Sequence, residues 1–149
     1  MFEELIQPKG RVIFWVHNPD GTLALEQVRD NVVCTVGKTA LAAAMTSNSS
    51  SKVSYAALGT NAAAPAAGDV KLGTEAYRNA IASMTNVANV ATMTGFFSAT
   101  ETSGHYFEAG LFIGGTGAAD SGTILSHVAC DINKTTSQTL TLSWSITLT

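Results

Sequence analysis

The residues that could do chemistry in this chain are few and scattered. Its three histidines, His17, His105 and His127, share no ligand spacing, and no HxH, HxxxH or CxxC occurs. A metal site needs such spacing to bring its donors together, so no metal is expected. Gly110–Gly117 (GLFIGGTG) superficially has the composition of a phosphate loop. A phosphate loop, however, opens a helix and carries a Lys-Ser or Lys-Thr, and neither follows here. A turn between two strands is the expectation. Serine and threonine are abundant, at 13 and 19 residues, yet there is no GxSxG elbow and no Ser-His-Asp arrangement. Asn48 and Asn133 begin glycosylation sequons, which matter only on a secretory route. No catalytic residue and no cofactor is expected.

Glu75 and Glu108 are the carboxylates that acid–base work would call on. Arg78 gives them a different role, because it lies three residues after Glu75, on the same face if that stretch is helical. A charge set among Tyr77, Phe107, Leu111 and Phe112 is costly unless paired. The expectation is that Arg78 pairs with Glu108 or Glu75 and locks a loop-helix onto a strand. Cys34 and Cys130 lie far apart in apolar, strand-like runs. They read as buried free thiols of a reducing compartment, with one disulfide as the alternative.

These residues must be positioned by one domain, since 149 residues suffice for a single hydrophobic core. Only 13% of the residues are charged, about half the usual share. A surface short of Lys and Glu costs less to desolvate, which favours contact with partners. The net charge of −3 and the scattered basic residues argue against nucleic acid. No apolar run reaches the length of a membrane helix, and the acidic start MFEELIQPKG is too short for a signal peptide.

The elements read mainly as strands. In residues 139–149, Leu140, Leu142, Trp144, Ile146 and Leu148 alternate with Ser and Thr, which puts one face in a core and the other on a polar side. Arg11–His17 and Leu23–Arg29 flank Asn18-Pro19-Asp20-Gly21 and form a hairpin. Val32–Val36, ended by Gly37, Val53–Leu58, Val90–Phe97, His105–Ile113 and Ile124–Cys130 complete the predicted strands. Lys38–Ser47 predicts a short helix with Leu41, Ala44 and Met45 at helical spacing, and Thr74–Arg78 a further helical turn. Asn61–Asp69 is an Ala/Pro/Gly loop with little to drive its packing. The predicted fold is mainly β, an antiparallel β-sandwich of jelly-roll type with one or two short helices. Residues 1–9 form an N-terminal arm and residues 10–149 the single sandwich domain. Trp15 and Trp144 read as core residues of two strands.

The order of the motifs carries a resemblance. Asn18–Gly21 (NPDG), Asn31–Val33 (NVV), Gly37 and an Ala-rich helix come first, then Val53–Thr60 (VSYAALGT), the Ala-Pro loop with Asp69, Leu72 and Glu75–Arg78 (EAYR). Glu108–Phe112 (EAGLF), Gly122–Leu125 (GTIL), Asn133–Thr135 (NKT) and Leu142–Ile146 (LSWSI) follow. Across residues 18–146 this succession resembles a widespread group of small tailed-bacteriophage virion proteins. Asn61 departs from the pattern, standing where the group usually has a second glycine.

The resemblance implies a structural part of the virion, made in the host bacterial cytoplasm, with no catalytic residues to carry over. Such groups include jelly-roll cement or decoration proteins of the capsid and components of tails and fibres. The compact chain favours cement on the outer surface of the head, bound to the major capsid protein. A tail, baseplate or fibre-attachment role is the alternative, and a carbohydrate-binding module using Trp15 is a third. A homo-oligomer, dimer or trimer, is implied by analogy. Phe2, Leu5 and Ile6 would let the arm reach a neighbouring subunit.

Overall fold

The computed structural model describes residues 8–47 and 51–149. Nine strands and one helix follow in the order β1 (Pro8–His17), β2 (Leu23–Val33), α1 (Thr35–Thr46), β3 (Val53–Gly59), β4 (Glu75–Ala80), β5 (Ser83–Val87), β6 (Val90–Phe97), β7 (Gly104–Ile113), β8 (Thr123–Lys134) and β9 (Thr139–Leu148). All the strands belong to one antiparallel sheet, ordered β4-β3-β7-β8-β2-β1-β9-β6-β5. No described helix is long and apolar enough to cross a membrane.

The two-sheet sandwich is therefore corrected to a single curled sheet, a half-barrel. Alternating apolar residues show that a strand has one face in a core, but a core inside one curled sheet produces the same alternation. The joint between the two halves lies at β2. Val32 and Val33 pair with His127 and Ser126 of β8, while the rest of β2 follows β1. Where β2 and β8 diverge, the Gln27 side chain replaces the backbone ladder. Its amide donates to the Asp131 carbonyl at 2.8 Å and accepts the Asp131 N–H at 2.9 Å.

Strands β4 and β5 lie at opposite ends of the strand order, yet only Ile81 and Ala82 separate them in sequence. So short a link forces the sheet to curl until its ends approach. There the Ile81 N–H donates to the Ser54 carbonyl and the Ala82 N–H to the Thr94 carbonyl, both at 2.9 Å. Tyr77 of β4 meets Phe97 of β6 edge to face, with ring centroids 6.0 Å apart.

The main core fills the inside of the curl. Val12, Phe14 and Val16 of β1 alternate inward against Leu140, Leu142, Trp144 and Ile146 of β9, their neighbours in register. Trp144 is fully buried and donates its indole N–H to Ser126 Oγ at 3.1 Å. Trp15 does not belong to this core. It falls on the outer face of β1, half-buried, and its indole N–H reaches Glu26 at 3.1 Å. The β1–β2 hairpin forms around the predicted turn, where Gly21 takes φ +85°, a conformation that costs glycine nothing.

Three further expectations are corrected. Val32–Val36 is not a strand of its own: Val32 and Val33 end β2, Cys34 stands at the N-cap of α1, and Gly37 lies inside the helix. In α1, Leu41 packs on the core but Met45 is 83% exposed. Thr74–Arg78 is not a helical turn, because β4 begins at Glu75. Pro8 and Lys9, counted with the arm in the sequence reading, pair with Leu148 and Thr147 in the sheet. Phe2, Leu5 and Ile6 lie outside the described residues.

Candidate functional site

Glu75, Arg78, Glu108 and His127 gather on the outer face of β3, β4, β7 and β8, away from the main core. A second apolar layer, made of Cys34, Ala57, Leu72, Phe112 and Ile124, covers that face. Leu72 sits where a side chain at Gly110 would stand, with its Cδ2 2.9 Å from the Cβ position. A Cβ at Gly59 would lie 2.6 Å from the Glu108 carboxylate. Glycine at these two places lets the loop of residues 60–74 lie flat on the sheet.

Glu108, on β7 and 1% exposed, holds this loop. Its Oε1 accepts the Gly73 N–H at 2.7 Å, and its Oε2 accepts the Asn61 and Thr74 N–H groups at 3.0 and 2.9 Å. On the neighbouring strand, His127 places Nε2 2.9 Å from Glu108 Oε1 and Nδ1 2.7 Å from Asp69 Oδ2. Asp69 in turn accepts the Ala66 N–H at 2.8 Å. That backbone bond, together with the contact to His127, holds the Asp69 carboxyl below its usual range. Both ring nitrogens of His127 face carboxylates, and its side chain is only 5% exposed. With both ring nitrogens engaged, the ring ties the loop to the sheet.

Arg78 pairs with Glu75 and not with Glu108. The fork is bidentate, Nε to Oε2 and Nη2 to Oε1 at 2.7 Å each, and both side chains are 2% exposed. On a regular strand, residues three apart point to opposite faces. Here the register slips: Leu58 faces Tyr77, but the next residue, Gly59, faces Glu75. This bulge at Ala76 turns Glu75 and Arg78 to the same side. The remaining Arg78 donors hold the turn of residues 114–122, reaching the Thr116 and Ser121 carbonyls at 3.1 Å and Ser121 Oγ at 3.0 Å. The guanidinium also lies over the Phe112 ring, 4.5 Å from its centroid. The anticipated three-residue lock thus divides in two, one part centred on Arg78 and one on Glu108.

A third brace was not foreseen from the sequence. Lys134, 1% exposed, directs its ammonium at the carbonyls of Ala99, Thr102 and Thr135. Burial pulls its pKa below the usual lysine value. Glu101 crosses the same loop, accepting the Ser98 N–H at 2.6 Å and the Asn79 amide at 2.9 Å. The Ser98 bond comes first among the causes that lower its pKa. A polar side chain in a run such as ILSHVAC or CDINK is a signal in itself, because a buried polar group needs a partner.

The other histidines stand apart from these clusters. His105 meets Asp131 on the exposed surface, and His17 ends β1. Among the described residues no group of three or more His, Cys, Asp or Glu could hold a metal ion. Cys34 and Cys130 are both free and buried, and burial pushes their thiols up to about 11 and about 12. No protein-family model matches the chain, and neither a curated protein nor a solved structure does.

Proposed function

We propose that this chain is a structural protein of a tailed-bacteriophage virion, a cement protein that binds the major capsid protein on the outside of the head. The observation that carries the reading is how the polar residues of the ordered motifs are used. Glu75 and Arg78 of EAYR, Glu108 of EAGLF and Lys134 of NKT are all buried and spend their hydrogen bonds on loops. Buried charges used in this way make rigid loops, and rigid loops lose little entropy on docking. The charge-poor surface adds to this, because it is inexpensive to desolvate against a coat protein.

The mechanism is a clamp. A protein that binds only the assembled shell stabilises it by mass action, and as a dimer or trimer it gains avidity from several weak contacts. The test is copy number and position in purified particles, by quantitative gel and electron microscopy. Cement requires on the order of one copy per coat subunit and a shell that fails at lower temperature without it. A few copies at the tail would replace cement with the tail, baseplate or fibre-attachment role. Absence from the particles would remove the virion reading altogether.

A further inference from the structure

The outer face of β1, β9 and β6 is a regular lattice. Neither the β1–β9 nor the β6–β9 ladder slips in register, so outward residues stand in rows across the three strands. Trp15, Thr141 and Phe96 form one row, and Ile13, Ser143 and Thr94 the next. Arg11, Ser145 and Thr92 form a third. On β9, β6 and β5 no outward residue is charged. Among the described residues, the hydroxyls of Thr92, Thr94, Thr141, Ser143 and Ser145 make no side-chain hydrogen bond. Phe96 is 42% exposed, although it is a large apolar residue. The Trp15 indole N–H is taken by Glu26, which fixes the ring and leaves its π face as the part that can meet a ligand.

We propose that this face binds a neutral, extended β-1,4-linked oligosaccharide, with sugar rings stacked on Trp15 and Phe96. A sugar has an apolar C–H face, which an aromatic ring matches, and a rim of hydroxyls. Serine and threonine match that rim, because each can both donate and accept. The lack of charge suits a neutral ligand. Spacing sets the linkage. The two aromatic residues stand two strand spacings apart, about 10 Å between their backbones. In an extended β-1,4 chain, alternate sugars present the same face and are separated by a similar length. One sugar then lies on each ring, and the sugar between them lies over Thr141. A protein partner would find its apolar contacts clustered at the centre of the patch, whereas here hydroxyls hold the centre. The inference does not rest on the cement reading.

Titration of the labelled full-length protein, followed by nuclear magnetic resonance, tests this. The probes are cellohexaose, xylohexaose, mannohexaose and chitohexaose at millimolar concentration. At least one will shift the Trp15 indole and the Thr141 and Phe96 amides, and leave the indole of Trp144, inside the curl, where it was. Trp15→Ala and Phe96→Ala will each weaken that binding on the order of tenfold. An unchanged Trp144 indole resonance shows that a variant is folded, and Phe96→Ala alone decides if Trp15→Ala does not fold. Maltohexaose, whose α-linked chain coils, will bind more weakly than the best β-linked probe. No shift with any of the four probes would overturn the proposal. So would shifts confined to another part of the surface, equal binding of maltohexaose, or undiminished binding by folded Phe96→Ala.

Discussion

Glu108→Gln removes one charge and one acceptor while leaving the side-chain volume almost unchanged. In the native protein Oε1 accepts the Gly73 N–H and lies beside His127 Nε2, and Oε2 accepts the Asn61 and Thr74 N–H groups. A glutamine amide nitrogen at the Oε2 position faces two backbone donors that it cannot accept, and at the Oε1 position it faces the Gly73 N–H. A buried donor left without a partner costs about 1–3 kcal/mol. One or two of them give a loss of about 1–6 kcal/mol, with about 3 kcal/mol as the central expectation. In a chain of this length each kcal/mol moves Tm by about 2–4 °C, so the midpoint will fall by roughly 10 °C. Urea unfolding of both proteins, followed by tryptophan fluorescence, measures the loss. Hydrogen exchange at the Asn61, Gly73 and Thr74 amides localises it, because these groups lose protection before the strands do. A loss below about 1 kcal/mol, with protection unchanged at the three amides, would refute the claim that Glu108 holds the loop.

Arg78→Ala leaves Glu75 buried without its partner and will destabilise by about 3–5 kcal/mol in the same urea assay. Arg78→Lys will recover only part of this, since an ammonium cannot form the bidentate fork or reach both turn carbonyls. Acid will weaken the fold through Asp69 and Glu101, whose folded pKa values lie below their ordinary 3.8 and 4.5. Their stabilisation is complete above those ordinary values and is lost as pH falls through the lower folded ones. The urea midpoint will therefore drop between about pH 5 and pH 3. Cys34 and Cys130, with thiols raised to about 11 and about 12, will react with a thiol reagent at pH 8 only as fast as the protein opens. Rapid stoichiometric labelling of the native protein would contradict their burial.

Strand identity was legible wherever one face is apolar and the other polar. β9 shows this best, and β6 spans the predicted Val90–Phe97. Three things hid the rest. Strand β5 (SMTNV) is exposed on every residue, so no alternation marks it. β4 is interrupted by the bulge at Ala76, and its Glu75–Arg78 spacing imitates a helical turn. The spacing suggested an ion pair that does exist, but a slip in register produces it. The role of His127 was hidden for a different reason. Its partners come from β7 and from the Ala/Pro/Gly loop, 19 and 58 residues away, and a loop of that composition gives no sign that it will be pinned. Asn61, the departure from the motif, donates its N–H to Glu108, and its side chain covers Gly73 at 2.6 Å from the position a Cβ would take.

The pairing of β1 with β9 has a consequence for how the chain reaches this state. The strand at residues 8–17 finds its partner only at residues 139–148, and that pair lies near the middle of the sheet. On the ribosome the β1–β2 hairpin waits, one side of β1 unsatisfied, until β9 has emerged. Folding of this domain is thus deferred until residues 139–148 have emerged, with loop closure between the two paired segments as its main entropic barrier. A ribosome that stops short of residue 139 leaves the apolar face of β1 uncovered, and such fragments will aggregate or be degraded.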